Sequence, residues 1–186
     1  MVAFMLIILS IPSAVFPMPP LSVSICFLSA GAFAHIIAMI IEGHDIEDTI
    51  ISALKMLERY DNHKECKDSL IIAMALTKDS LPDNEAIGQL GEGWVGEEAL
   101  SISIYCALKH RNDFREALTA AVNHDGDSDS TGAITGSIMG AYLGYEKIPA
   151  DWIRNVELVD ILTQVADDLL IEYDEDNVSW NRYPGY

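Results

Sequence analysis

The segment Asn123-His124-Asp125-Gly126-Asp127-Ser128-Asp129-Ser130-Thr131-Gly132 restricts the possible structures of this chain more than any other part of it. Three aspartates alternate with small residues, and the run 133–144 then has a small residue at every third or fourth position. Unpaired carboxylates are too costly to bury, so the alternation predicts an exposed loop. The small residues that follow predict a helix that packs very closely against another element.

The alternating aspartates have the chemistry of a cation site. Alternate residues of an extended loop face the same way. Asp127 and Asp129 could therefore present carboxylates to one ion, and the hydroxyl of Ser130 or Thr131 would be a further hard ligand. The N-terminus of the next helix offers N–H groups to an anion such as a phosphate. These features together suit a magnesium ion beside a phosphorylated ligand.

Two other interpretations of this loop make different demands on its residues. An EF-hand calcium loop needs Gly at position 6 and Glu at position 12. Counted from Asp125, these positions hold Ser130 and Gly136, so that motif does not fit. In the second interpretation, Ser128 or Asp129 caps the next helix while the other acids are solvated, and no metal is required.

Glycines recur along the helix predicted after the loop. Gly132, Gly136, Gly140 and Gly144 are spaced four residues apart and so line one face. Because glycine is unfavourable inside a helix, we expect this face to lie against the backbone of another helix. The apolar helix predicted near residues 30–41 is the expected partner.

The composition excludes some classes of protein. The 186 residues include 50% hydrophobic side chains and carry a formal net charge of −18, which suits one domain with a sizeable core. Nucleic acid is not an expected partner, because nonspecific affinity for it depends on Lys and Arg that neutralise phosphates. Cys26, Cys66 and Cys106 show neither disulfide-framework nor zinc spacing. They predict isolated buried thiols in a reducing compartment, and hence a cytoplasmic protein.

The N-terminal residues 1–27 differ from the rest of the chain. The run 1–9 is almost wholly apolar, and four prolines follow by residue 20. A signal peptide needs a positive first region, but Lys55 is the first basic residue, so a start that reads through unrelated sequence is the better explanation. The apolar run is too short to cross a bilayer. We predict an atypical stretch over 1–27, a helical domain over 28–173 and a polar, aromatic tail over 174–186.

Apolar periodicity predicts an all-α fold, since no run alternates with period two long enough for a strand. Helices are expected over 29–42, from 46 to about 60, 63–77, 84–89, 97–109, from 114 to the loop at 123, 131–143, 150–154 and 156–173. Gly43 is expected to end the first helix. Asp45 and Asp113 are expected to cap the helices that follow them.

A glycine-rich loop with one aromatic residue, Gly91-Glu92-Gly93-Trp94-Val95-Gly96, opens the helix predicted over 97–109. Trp94 could stack on an adenine or a ribose, or it could pack in the core. Glu97 and Glu98 favour the positive end of the helix dipole, which accounts for at least one of them. We predict that the other, Glu97, reaches the cleft and helps to orient water.

Three of these segments resemble one family. The segment 123–144 resembles the C-terminal signature of the ADP-ribosylglycohydrolases, and the segments Gly93–Leu100 and Leu28–Ala32 resemble other parts of that family in the right order. The resemblance covers about residues 27–170. It implies an all-α fold, two magnesium or manganese ions, and hydrolysis of the glycosidic bond between ADP-ribose and a protein side chain or small molecule.

The resemblance also suggests roles for individual residues. The family's C-terminal Asp-x-Asp-Thr/Ser element carries over to Asp127, Asp129 and Ser130 as metal ligands. We expect catalytic roles for Asp127 and Glu97. The candidate substrate-binding residues are Trp94, Gly126, Ser128 and Thr131.

One part of the family pattern is missing from this sequence. The Gly-Asp-rich first helix and the Thr-Asp-Asp-Thr element, which supplies the other ligands, do not occur. The chain therefore resembles the C-terminal part of the domain, with at most one half of the two-ion site. Because a two-ion site needs ligands from both sides, we expect impaired hydrolysis. The alternative is a catalytically inactive remnant that binds a metal or a partner.

Overall fold

A computed structural model describes the backbone of residues 21–168 and the side chains of residues 27–168. These residues form α-helices without any strand, which confirms the all-α prediction. The helices are α1 (Leu21–Ile41), α2 (Ile46–Leu57), α3 (Lys64–Leu76), α4 (Asp83–Ile87), α5 (Gly96–Lys109), α6 (Phe114–Val122), α7 (Ser128–Leu143), α8 (Ala150–Asn155) and α9 (Val159–Asp168), with a 3-10 turn at Tyr145–Lys147. The predictions for residues 1–20 and for the tail after 168 lie outside the described residues.

The predicted helix ends are confirmed where a specific cap was named. Gly43 has φ +93°, and the N–H of His44 bonds the carbonyl of Met39 at 3.1 Å, as a left-handed residue that ends a helix requires. Asp45 accepts the N–H of Glu47 at 3.0 Å at the start of α2. The start of α1 was predicted too late: the helix begins at Leu21, since the apolar residues after Pro20 continue it without a breaker.

The centre of the fold is α5, which packs against α1, α3, α6 and α7. Its buried residues run without a break from Ala99 to Ala107. Cys66 on α3 and Cys106 on α5 are free and buried, which confirms the prediction for these two thiols. Burial raises the pKa of Cys66, and it raises the pKa of Cys106 to about 12. The side chain of Cys26 lies outside the described residues.

Contacts at both ends of α5 and α7 show that these helices run in the same direction. Before their first turns, the carbonyl of Glu92 accepts the N–H of Asp127 at 2.7 Å. After the last turn of α5, Arg111 donates to the hydroxyl of Tyr142 on α7 at 2.6 Å. The N-termini of these two helices are therefore neighbours, and the predicted cation loop lies between them.

The expected partner α1 does pack against α7, but it is not the element that faces Gly132 and Gly136. Gly132 and Gly136 face side chains of α6, because a Cβ on Gly132 would lie 2.8 Å from Val122 and one on Gly136 would lie 3.7 Å from Leu118. Gly144 lies beyond the helix with φ +82°. The loop between α6 and α7 is short, so the two helices pack as a hairpin. Gly132 leaves room for a side chain of α6, Gly136 is in ordinary contact with one, and a Cβ on Gly140 would meet nothing within 4 Å.

The described residues fall into two compact units, 21–149 and 150–168. The second unit consists of α8 and α9, and Leu158 between them has φ +58°. Among residues 27–168, whose side chains the structure describes, no helix is long and apolar enough to cross a bilayer.

Replacing Arg111 with methionine is expected to lower the free energy of unfolding by about 1 kcal/mol. Arg111 forms an ion pair with Asp45, bonds the hydroxyl of Tyr142 and lies 5.6 Å above its ring. Urea unfolding followed by circular dichroism measures the change. Lys67→Met is the control, because Lys67 pairs with the exposed Glu58. Equal losses in the two variants would show that the Arg111 cluster adds nothing beyond a surface ion pair.

Candidate functional site

The predicted cation loop ends in the cap of α7. Asp127 is the N-cap residue, and its Oδ1 accepts the N–H of Ser130 at 3.4 Å. The cap of α7 is therefore Asp127, and the interpretation that Ser128 or Asp129 caps this helix names the wrong residue. Hydrogen bonding with Asp129 and then with Ser130 lowers the pKa of the Asp127 carboxyl. The three side chains that were predicted as ligands thus lie together at the start of α7.

The donors at this point fit a hard, partly hydrated cation. Asp127 and Ser130 are half-buried and Asp129 is exposed. Two carboxylates and a hydroxyl are oxygen ligands of the kind that Mg²⁺ prefers, and Mg²⁺ usually keeps several waters when few protein ligands are present. In residues 27–168, no three His, Cys, Asp or Glu side chains are grouped so that they could hold a metal ion. The structure therefore brings Asp127, Asp129 and Ser130 together without a third acid.

A histidine fixes the shape of the loop. Gly126 donates its N–H to His124 Nδ1 at 3.1 Å. Nε2 therefore carries the ring proton in the neutral form and donates to Thr131 Oγ1 at 3.0 Å. Thr131 is buried and donates its hydroxyl to the carbonyl of Ala121 at 2.7 Å. His124 and Thr131 thus brace the turn between α6 and α7, and the N–H of Gly126 is used within it.

The glycine-rich loop lies directly against the cation loop. The N–H of Asp127 bonds the carbonyl of Glu92, and the neighbouring Gly126 has no room for a side chain. A Cβ on Gly126 would overlap the Glu92 carbonyl oxygen and lie 2.8 Å from Glu92 Cα. A Cβ on Gly93 would lie 3.2 Å from Thr131. Glycine at both positions allows the two loops to meet backbone against backbone.

Trp94 is on the surface of this junction. Its side chain is 67% exposed, and its indole N–H donates to the carboxylate of Glu92 at 3.0 Å. The suggestion that Trp94 packs in the core is therefore wrong. An exposed indole beside the acidic loop is available to stack on a flat ligand.

Helix N-terminal N–H groups are less available to a phosphate than the sequence suggests. Ser128 donates its N–H to the Gly126 carbonyl at 2.9 Å, and the N–H of Ser130 is bonded to Asp127. The half-buried Ser128 side chain remains at the loop surface. A phosphate at this position would therefore depend on the bound cation more than on the helix end.

The two glutamates that open α5 have different surroundings. Glu97 is 8% exposed, and its Oε2 is buried without a hydrogen-bond partner among the described residues. Burial raises the pKa of its carboxyl, and the nearby Glu65 and Glu98 raise it further. Glu97 also raises the pKa of Cys66, so its carboxyl is close to α3.

Glu98 holds the glycine-rich loop. Its Oε2 accepts the N–H of Gly93 at 3.0 Å and that of Glu92 at 3.2 Å. Sequence reasoning did not assign this role. The available signal was its place as the third residue of α5, from which a glutamate commonly bonds backbone N–H groups before the helix.

Comparison with protein families decides between a chance likeness and true membership. A family model described as ADP-ribosylglycohydrolase matches residues 23–178. The chain belongs to the ADP-ribosylglycohydrolase family. This match confirms the family inferred from the segment 123–144, and it includes both loops of the site.

Several relatives of the chain are similar at a modest level. ADP-ribosylhydrolase ARH3 of Bos taurus is 29% identical over 106 residues, which is 50% of this chain and 29% of the relative. Putative ADP-ribosyl glycohydrolase L543 of Acanthamoeba polyphaga mimivirus is 29% identical over 120 residues, 62% of this chain and 36% of the relative. ADP-ribosylarginine hydrolase Tri1 of Serratia proteamaculans is 33% identical over 63 residues, 34% of this chain and 17% of the relative. These matches span about a third of the relatives' length or less. No solved structure matches the chain at a significant level.

Proposed function

We propose that this chain contributes to magnesium-dependent hydrolysis of the glycosidic bond between ADP-ribose and a protein side chain or small molecule. The observation that supports this most directly is the grouping of Asp127, Asp129 and Ser130 at the start of α7 in a member of the ADP-ribosylglycohydrolase family. Manganese would fit the same oxygen donors.

Each residue of the junction has a definite task in this proposal. Asp127, Asp129 and Ser130 hold the cation through two carboxylates and a hydroxyl. The cation, when bound, supplies a Lewis acid that lowers the pKa of water at the glycosidic bond. Trp94 presents its exposed ring to the adenine or the ribose. Gly126 and Thr131 shape the loop, and Ser128 lines its surface.

Glu97 is the less direct part of the proposal. Its buried carboxyl could hold and release a proton near the N-terminus of α5, which is what a general acid or base must do. The carboxyl is close to α3, so it would act on the reaction through a neighbouring group or water. The proposal does not need Glu97 as a metal ligand.

A second candidate function is a module that binds a cation or a partner without catalysis. The matched region spans about a third of the ARH3 and mimivirus relatives. Only two carboxylates and a hydroxyl come together among the described residues of this chain. A cation held by so few ligands would bind weakly and leave the attacking water poorly fixed.

The cation site is tested by titrating the chain with Mn²⁺ or Mg²⁺ in a calorimeter. We expect Asp129→Asn to weaken binding by at least about tenfold, because it removes one ligand charge without removing the cap of α7. Asp113→Ala is the control, since Asp113 caps α6 through Glu116 and lies outside the site. Binding that is equally strong in Asp129→Asn would eliminate this ligand assignment.

Catalysis is tested separately with ADP-ribosyl-arginine as substrate, a choice that follows from the name of the Serratia relative. Magnesium-dependent release of ADP-ribose by the chain, absent in Asp129→Asn, would support the hydrolase. Metal binding without any release of ADP-ribose from this or other ADP-ribosylated substrates would instead support the binding module.

A further inference from the structure

The carboxylate of Glu98 is the anchor of the glycine-rich loop. Its two bonds to the N–H groups of Glu92 and Gly93 involve an ionised acceptor, and such bonds are about twice as strong as neutral ones. Gly91 lies against the same carboxylate and has φ +118°, and a Cβ on Gly91 would lie 2.6 Å from Glu98 Oε1. The loop therefore has little freedom to shift while this carboxylate is in place.

Glu92 connects that anchor to both halves of the candidate site. Its N–H is held by Glu98, and its carbonyl accepts the N–H of Asp127 at 2.7 Å. Its carboxylate accepts the indole N–H of Trp94 at 3.0 Å. A displacement of Glu92 would move the exposed ring on one side and the cap of α7 on the other.

We infer that Glu98 is a positioning residue, which sets the place of the Trp94 ring relative to the cation ligand Asp127. The inference rests on the proposed function, because it assigns Trp94 to the ligand and Asp127 to the cation. Glu98 itself uses Oε2 on backbone N–H groups of the loop. Its task is to keep the flat ring and the cation at a fixed separation, so that one ligand can meet both.

The test uses Mn²⁺, which binds oxygen ligands and quenches the fluorescence of a nearby indole. Trp152 and Trp180 are replaced by phenylalanine so that Trp94 is the only fluorophore of its kind. In Glu98→Ala, we expect Mn²⁺ affinity to fall about tenfold and the quenching of Trp94 at saturation to decrease. Glu98→Gln keeps the side-chain volume and one acceptor oxygen and should recover part of both signals, whereas Glu98→Met keeps a similar volume without an acceptor and should not, which excludes loss of packing as the cause.

Glu116→Ala is the matched control, since Glu116 is exposed and is also the third residue of its helix, α6. It should leave Mn²⁺ affinity and Trp94 quenching unchanged. If Glu98→Ala behaves like Glu116→Ala while the parent chain binds Mn²⁺, the inference alone is overturned. If the parent chain binds no Mn²⁺, the proposed cation site and this inference are overturned together.

Discussion

Replacing Gly126 with alanine is expected to lower the free energy of unfolding by about 3 kcal/mol and to weaken cation binding. A Cβ at this position would overlap the Glu92 carbonyl oxygen and lie 2.8 Å from Glu92 Cα, both of them backbone atoms. The two loops would have to separate, which would break the 2.7 Å bond between Asp127 and Glu92. Urea unfolding monitored by circular dichroism, with a Mn²⁺ titration of the folded fraction, measures both effects.

Gly136→Ala is the matched control for this substitution. Gly136 lies inside α7, and its added Cβ would be in ordinary contact with Leu118 at 3.7 Å. Because alanine is favoured over glycine in a helix interior, this variant should be more stable by up to about 1 kcal/mol. An unfolding midpoint for Gly126→Ala at or above that of the parent would show that the loops are not packed as closely as described.

Local signals in the sequence were sufficient for most of the fold. Asp45, Gly43 and Asp113 each act at a helix end through bonds to nearby backbone groups, so their roles follow from their immediate neighbours. The apolar periodicity between such caps predicted the helices themselves. The start of α1 was predicted too late because no residue between Pro20 and Ser29 marks a helix boundary within the apolar run.

The partners of the helices were harder to predict than the helices. Evenly spaced glycines on α7 suggested that another element packs closely against them, but they did not identify that element. Side chains of α6 lie against Gly132 and Gly136. A sequence pattern indicates that little space is available at a position, but it does not indicate which helix or loop fills that space. The same limit applies to Trp94, whose type and glycine neighbours suited either a core or a surface.

In the candidate site, the sequence predicted that two side chains lie close together but did not predict the surroundings of the adjacent Glu97 and Glu98. Asp127 and Asp129 lie close together as predicted, but the extended loop expected over these residues is wrong: Asp127 caps α7 and Asp129 is its second residue, so the first helical turn brings the two side chains together. The sequence suggested that Glu97 reaches the cleft and that Glu98 favours the helix dipole, yet Glu97 is buried near α3 and Glu98 bonds the loop before the helix. The rotation of α5 about its axis separates their roles, and that rotation is set by the packing of the whole core.

Replacing Glu97 with glutamine is expected to stabilise the protein at alkaline pH and to have little effect at acidic pH. Burial raises the pKa of this carboxyl above its ordinary value of 4.5, so the folded state binds the proton more tightly than the unfolded state does. The stability from this proton is fully present below the ordinary pKa and is lost as the pH rises through the folded pKa. Glutamine is neutral throughout, so its advantage should reach about 2 kcal/mol at about pH 8, the cost of a buried carboxylate oxygen without a partner.

Unfolding free energies measured from about pH 5 to about pH 8 in the parent and in Glu97→Gln test this expectation. Glu47→Gln is the control, because Glu47 is exposed and is also the second residue of its helix, α2. Subtracting the two pH profiles removes the contribution of every other acid in this strongly acidic chain. A difference between Glu97→Gln and the parent that stays constant with pH would mean that Glu97 is ionised in the folded state. It would also remove the proton that a general acid at this position requires.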